Sequence, residues 1–187
     1  GYTSEFGPYF QSLTLIPISE FLRVGFNFDY YSDRGLLAGP VAQYFNQKGN
    51  SYIRGSFSTG YINDRGFTGV DILNRPIISD RKFILAQHKQ ALNKNFYITA
   101  QSHNLSDSEV LRDFKEPLYA KNQFPMNFIE SNYFHKISSI SAFIHFKNDD
   151  FSNTRERLPE LRFSLKPHYL FNTSINNSAY LSFSKIK

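Results

Sequence analysis

The chain has no cysteine, no tryptophan and a single methionine among its 187 residues. Without cysteine, a disulfide framework, cysteine-ligated zinc and thiol catalysis are all excluded. Long apolar runs are missing as well: none approaches the roughly 18 to 20 residues that a membrane-spanning helix needs, and the mean hydropathy is negative. We therefore do not expect a helical membrane protein.

Motifs of enzymatic chemistry are also absent from the sequence. It holds no Gly-x-Ser-x-Gly elbow, no His-Glu-x-x-His pair and no glycine-rich phosphate loop. The acidic stretch 148–150 (NDD) lacks the ligand spacing of a calcium loop. We therefore predict that the chain is not an enzyme and that it has no catalytic residues, no metal site and no cofactor.

The net charge of +5 is moderate. It fits contact with anionic lipid headgroups or glycolipid phosphates, and it fits equally an ordinary solvated surface with surplus lysine. No nucleic-acid partner is expected.

Aromatic residues are abundant, with 20 Phe and 12 Tyr, which is typical of β-rich proteins. Residues 21–32 (FLRVGFNFDYYS) alternate apolar and polar side chains over five consecutive pairs, and residues 51–64 repeat this pattern. An alternation with period two predicts strands that present one apolar and one polar face. Several predicted strands reach ten or more residues, close to the roughly 9 to 11 that cross a bilayer at a tilt.

The predicted connections alternate between short and long. Read as a meander of about ten strands, the chain has its long connections at one end, which is typical of outer-membrane barrels. The short connections are Gln47–Asn50, Asn93–Asn95, Lys136–Ser139 and Asn172–Asn177. The long connections are Arg65–Ser79, Asp107–Pro125 and Asn148–Pro159. The turn Ser32–Gly35 is the exception, because it is short but falls at the long-connection end.

Three Asp-Arg pairs recur at this same predicted end, at 33–34, 64–65 and 80–81, and Gly follows the first two. Ordinary turn chemistry is favoured over a ligand role for these pairs, with Gly supplying a positive φ, Asp accepting backbone N–H groups, and a rim ion pair worth under about 1 kcal/mol. Within the connection that follows, Ser106 is a possible helix cap with Glu109 three residues later. We therefore expect a short helix there.

Five segments resemble, in the same order, the barrel of the LptD family, the lipopolysaccharide-assembly proteins once called organic solvent tolerance proteins. They are 29–40 (DYYSDRGLLAGP), 61–65 (YINDR), 79–81 (SDR), 106–114 (SDSEVLRDF) and 156–162 (ERLPELR). The last two are the most specific, and the similarity spans residues 9–165. The absence of cysteine departs from the family's disulfide link between an N-terminal domain and the barrel.

The resemblance implies that residues 1–187 are one segment of a large outer-membrane β-barrel. In this interpretation the chain is a fragment that lacks the family's N-terminal periplasmic domain and the closing strands. The start at Gly1 and the end inside a predicted strand agree with a fragment. The fold class expected is all-β, an antiparallel meander of about ten long strands.

The function that the resemblance implies is the translocation and assembly of lipopolysaccharide into the outer leaflet of the bacterial outer membrane. The expected partners are lipopolysaccharide, a lipoprotein of the LptE type that plugs the lumen, and the periplasmic lipopolysaccharide bridge proteins. A polar inner wall would suit sugar and phosphate groups. The candidate lumen-facing residues are Arg23, Asn27, Asp29, Arg54, Ser56 and Ser58. The candidate lipid-facing residues are Leu22, Val24, Phe26, Phe28, Ile53 and Phe57.

Two other function classes remain open from the residues. One is a different outer-membrane barrel, such as a porin or a receptor. The other is a soluble β-sheet binding module, in which a long-stranded sheet would bury one face. Dependence on detergent separates the membrane classes from the soluble one.

Overall fold

In the residues that the structure describes, eleven strands form a single antiparallel sheet, and the order of the strands follows the chain. The computed structural model describes residues 1–66, 69–123, 126–151, 154–169 and 176–186. The strands are β1 Tyr2–Thr3, β2 Gly7–Ser19, β3 Leu22–Tyr31, β4 Gly35–Lys48, β5 Ser51–Asn63, β6 Asp80–Ala91, β7 Phe96–Leu105, β8 Asn127–Phe134, β9 Ser138–Phe146, β10 Arg157–Tyr169 and β11 Asn176–Ile186. The prediction of an all-β antiparallel meander is confirmed, and the strand beyond the expected ten is the two-residue β1.

The long connections share one end of the sheet, as predicted. Because the strands are antiparallel neighbours, connections alternate between the two ends. One end, which we call the short-turn end, carries the connections 20–21, 49–50, 92–95 and 135–137. The opposite end, the long-connection end, carries 32–34, 64–79, 106–126 and 147–156. The predicted turn Asn172–Asn177 falls mostly outside the described residues.

The register separates the two predicted sets of residues onto opposite faces of β3 to β5. Cross-strand partners point to the same side of a sheet, and Val24 pairs with Ala42, which pairs with Phe57. One row further, Arg23 pairs with Gln43, which pairs with Ser56. We call the side of Val24 and Phe57 the apolar face, and the side of Arg23 and Ser56 the polar face.

None of the described elements covers the apolar face of the sheet. Phe26 and Phe57 in the first half remain 48% and 38% exposed. Leu161 pairs with Phe183 on the same side in the second half, and these side chains are 51% and 70% exposed. Exposed apolar surface of this extent is characteristic of proteins that contact a membrane or another protein.

The polar face is covered at the long-connection end. Residues 106–121, which we call the docked segment, fold back over it and contain the helices α1 Val110–Phe114 and α2 Glu116–Lys121. Helices this short are not stable alone, so packing must hold them. Neither described helix is long and apolar enough to cross a membrane.

A compact apolar core lies between the docked segment and the sheet. Its buried members are Tyr31, Leu37, Ile62, Phe83, Val110, Leu111 and Phe114. Full burial of side chains of this size stabilises by about 1.5–3 kcal/mol each. The core of this sheet therefore lies on its polar face, where the alternation predicted polar groups, because the strands change to apolar residues beneath the docked segment.

Candidate functional site

A buried group of charges lies at the centre of the long-connection end. The carboxylate of Asp64 accepts two parallel hydrogen bonds from Arg34, each of 2.6 Å, and a third of 3.0 Å from Arg81. Both guanidinium groups are buried, with 1% and 0% of their side chains exposed. One carboxylate therefore joins the turn before β4 to the start of β6.

The docked segment supplies two further carboxylates to these guanidinium groups. Asp107 receives two hydrogen bonds from Arg81, of 3.0 and 2.7 Å. Oδ2 of Asp113 accepts hydrogen bonds from Nη1 of Arg81 over 2.7 Å and from Nη2 of Arg34 over 3.4 Å. We call Arg34, Asp64, Arg81, Asp107 and Asp113 the charge cluster. Its hydrogen bonds fix the docked segment to the sheet.

The aromatic ring of Phe114 covers the charge cluster. The guanidinium carbons of Arg34 and Arg81 lie 5.1 and 5.2 Å from its centroid, and Phe6 contacts Arg34 at 5.4 Å. Rings at this distance attract guanidinium groups and also exclude water. The ion pairs thus lie in a dry environment, where each charge needs its partners.

The prediction that the Asp-Arg pairs make rim ion pairs is wrong for Arg34 and Arg81. Each of these arginines binds carboxylates from other parts of the chain, and both are buried. For Asp80 and Arg81, which begin β6, the physical reason is that neighbouring residues in an extended chain point in opposite directions. Asp80 accordingly accepts hydrogen bonds on the other side, from Tyr61 and Asn63.

The two glycines of these motifs have different roles. Gly35 takes a φ of +123°, as predicted for a tight turn. Gly66 does not take a positive φ. A residue with a side chain would crowd Arg34 there, because its Cβ would lie 2.8 Å from Cδ of Arg34. The predicted backbone bond to Asp64 is present, since the N–H of Gly66 donates to Oδ1 over 3.3 Å.

The predicted short helix is present, but the predicted cap is wrong. The N-cap position is Glu109 and carries no side-chain capping hydrogen bond. The Ser106 hydroxyl instead donates to Asp107 and accepts the N–H of Lys82. Asp107, not Ser106, binds a backbone N–H group near the start of the helix, because its Oδ1 accepts the N–H of Glu109 over 3.0 Å.

A second ionic contact ties the docked segment to β3. The ammonium group of Lys115 lies 2.6 Å from Asp29 and 3.1 Å from Asn27. Both of these candidate lumen-facing residues lie on the polar face, and both are buried under the docked segment. They therefore anchor the segment and do not border open space.

The other half of the polar face forms an open groove at the short-turn end, with a volume of about 680 Å³. Three candidate lumen-facing residues line it, namely Arg23, Arg54 and Ser56. Lys89, which sequence analysis did not single out, lines it too. Ser58 lies between the groove and the docked segment and is half-buried.

The charge cluster changes the proton affinity of its central carboxyl. Burial on its own would raise the pKa of Asp64, but the hydrogen bonds from Arg34 and Arg81 outweigh it and hold the pKa below the ordinary value of 3.8. Asp64 therefore stays ionised over the physiological range. Among the described residues, no three His, Asp or Glu side chains form a group that could hold a metal ion.

Comparison of the chain with protein-family models and with curated proteins gives no match. The functional interpretation therefore depends on the residues and the geometry described above, and the family resemblance of the sequence stays a prediction.

The burial of the charge cluster predicts that replacing a buried arginine lowers the free energy of unfolding much more than replacing an exposed one, although both bind aspartate. Arg81→Met should cost about 3–5 kcal/mol, because it leaves buried carboxylates without their partner. Arg75→Met should cost under about 1 kcal/mol, because Arg75 is 48% exposed and its partner Asp71 keeps the hydrogen bonds from the backbone N–H groups of residues 73 and 75. The measurement is the free energy of unfolding in urea, together with tryptic cleavage after Lys115. Similar costs for the two variants would contradict a buried cluster.

The low pKa of Asp64 predicts acid sensitivity of the docked segment. A carboxyl whose pKa falls on folding stabilises the fold fully above its unfolded pKa, and this contribution is lost as the pH falls through the folded pKa. The free energy of unfolding should therefore drop below about pH 4. In Asp64→Asn the stability at pH 7 should be lower and the acid-dependent loss smaller. An unchanged pH profile in this variant would assign the acid sensitivity to other carboxyls.

Proposed function

We propose that the chain is a segment of an outer-membrane β-barrel that carries lipopolysaccharide to the outer leaflet. The observation that supports this most directly is the division of the sheet into two faces. One face exposes Phe26, Phe57, Leu161 and Phe183 to the surroundings. The other presents a polar groove with cationic side chains.

A lipid environment accounts for the apolar face better than water does. Burying apolar surface stabilises by about 25 cal/mol per Å², so an uncovered face of many Phe, Ile and Leu side chains is costly in water. In a bilayer, outward-facing apolar residues alternate with inward-facing polar ones along every strand. In this proposal Leu22, Val24, Phe26, Phe28, Ile53 and Phe57 contact lipid.

The groove accounts for the polar half of the proposal. Guanidinium groups bind phosphates and hydroxyl-rich sugars through charge-assisted hydrogen bonds, and Arg23 and Arg54 are exposed there. Asn27 and Asp29 were candidates for the same wall, but the docked segment covers them. The path for a glycolipid headgroup would therefore run along the short-turn half of the wall.

The partners in this proposal are lipopolysaccharide, an LptE-type lipoprotein in the lumen and the periplasmic bridge proteins, and the location is the outer membrane. The short-turn end would face the periplasm and the long connections the exterior, the usual asymmetry of such barrels. The groove would then lie on the side from which lipopolysaccharide arrives.

The docked segment favours a second candidate, a solute channel or receptor of the outer membrane. A connection fixed to the inner wall by buried ion pairs narrows a lumen, and such narrowing sets the size of solute that passes. In this alternative the cationic groove would select anionic solutes. A soluble binding module is disfavoured, because no described element covers the apolar face.

The lipid contact predicts opposite tolerance at two adjacent positions. Phe57→Arg places a charge on the apolar face near the middle of β5 and should cost about 2–4 kcal/mol in a bilayer. Ser56→Arg adds the same side chain to the open groove and should cost far less. The measurement is the fraction of folded, heat-modifiable full-length protein in outer membranes. Equal tolerance would reject a lipid-facing apolar face.

The proposed transport function predicts which side-chain positions contact lipopolysaccharide. A photo-crosslinking residue at Arg23 or Arg54 of the intact protein should capture lipopolysaccharide, whereas one at Val24 or Phe28 should capture mainly bulk lipid. Depletion of the protein should lower surface lipopolysaccharide and leave the uptake of small solutes nearly intact. Lost solute uptake with normal surface lipopolysaccharide would support the channel alternative instead.

A further inference from the structure

Two cationic side chains lie directly opposite each other in the groove. Arg54 of β5 and Lys89 of β6 are cross-strand partners on the polar face, and both are exposed. Like charges in this position destabilise a sheet. The pair therefore reduces the stability of the fold.

In the described part of the chain, neither of these two cations has a carboxylate partner that would offset the repulsion. Within the described residues, no carboxylate lies within 4.0 Å of a side-chain nitrogen of Arg23, Arg54 or Lys89. Among the described residues that line the groove, Glu20 is the one acid, and it lies at the rim in the turn before β3. By contrast, the buried arginines of the charge cluster each bind at least two carboxylates.

The groove is also built for directional contacts. The ring of Tyr52 lies 5.7 Å from the guanidinium carbon of Arg54 on the same face, which favours one position of that side chain. Gln43, Ser56 and Gln87 follow one another in register beside the cations. Cations bind an anionic oxygen, while amides and hydroxyls bind neighbouring hydroxyl groups.

From these observations we propose that Arg54 and Lys89, with Arg23 two strands away, form a binding site for a phosphate group carried on a polar, hydroxyl-rich ligand. A phosphate bound between Arg54 and Lys89 replaces repulsion by two charge-assisted contacts. The site rests on the proposed function only for the source of the phosphate, which is either a glycolipid or a soluble phosphate compound.

The first test measures binding and stability together in the full-length protein in detergent. Inorganic phosphate is titrated and followed by ³¹P NMR, and Arg54→Gln or Lys89→Gln should weaken binding about ten-fold or more. The same variants should unfold at equal or higher urea concentration, since they remove the repulsion. A purely structural role predicts the reverse, namely lower stability with unchanged phosphate binding.

Lys94→Gln provides the matched control. Lys94 lies exposed in the turn 92–95 at the same end of the sheet, and its backbone carbonyl accepts the Tyr97 hydroxyl. The variant removes the same charge outside the groove and should leave phosphate binding within about two-fold. Equal weakening by Lys94→Gln and Arg54→Gln would reduce the site to general electrostatic attraction and overturn the proposal.

The second test identifies the source of the phosphate. Lipopolysaccharide micelles and their enzymatically dephosphorylated counterpart are compared on the parent protein and on Lys89→Gln. A preference for the phosphorylated form that Lys89→Gln abolishes assigns the site to the glycolipid. Binding of inorganic phosphate without binding of either micelle keeps the site and rejects the transport function. Crosslinking of lipopolysaccharide at Arg23 with no effect of Arg54→Gln or Lys89→Gln keeps the transport function and rejects the site.

Discussion

The bidentate contact between Arg34 and Asp64 holds two connections of the long-connection end together. It joins residues thirty positions apart, and Arg81 then connects the same carboxylate to Asp107 and Asp113. Buried charges of this kind are tolerated only when every member is paired, because each loses several kcal/mol of hydration. The docked segment completes this pairing: without it the guanidinium groups would keep Asp64 but lose Asp107, Asp113 and the covering ring of Phe114.

This requirement divides the polar face into two regions with different properties. Under the docked segment, Leu37, Ile62 and Phe83 lie on the polar face and provide an apolar surface for Val110 and Phe114. Asn27 and Asp29 stay polar there, because Lys115 pairs with them. Beyond the docked segment, the polar face forms the open groove that Arg23, Arg54 and Lys89 line. The cover at one end thus determines which part of the wall can contact a ligand.

The sequence carried enough information for the sheet but not for the cluster. Alternation in residues 21–32 and the uneven connections depend on local periodicity, which a single chain displays directly. The partners of Arg34 lie 30 and 79 positions further along the chain, at Asp64 and Asp113, and no local pattern displays such contacts. The Asp-Arg pairs were recognisable, yet the pairing of the one at 80–81 followed from the opposite directions of adjacent side chains. Ser106 failed as a cap because Lys82, on the neighbouring strand, donates its N–H to the Ser106 hydroxyl.

Cationic side chains have different surroundings at the two ends of the polar face. At the long-connection end, every described guanidinium of the cluster binds carboxylates of the chain itself, so its binding capacity is used in folding. At the short-turn end, Arg54 and Lys89 repel each other in register and have no described carboxylate partner. Rigid, satisfied networks suit a scaffold, and unsatisfied charges held at a cost in stability suit recognition. The polar face therefore has one half in which the charge cluster serves the fold, and a second half, the groove, in which the charges are open to a ligand.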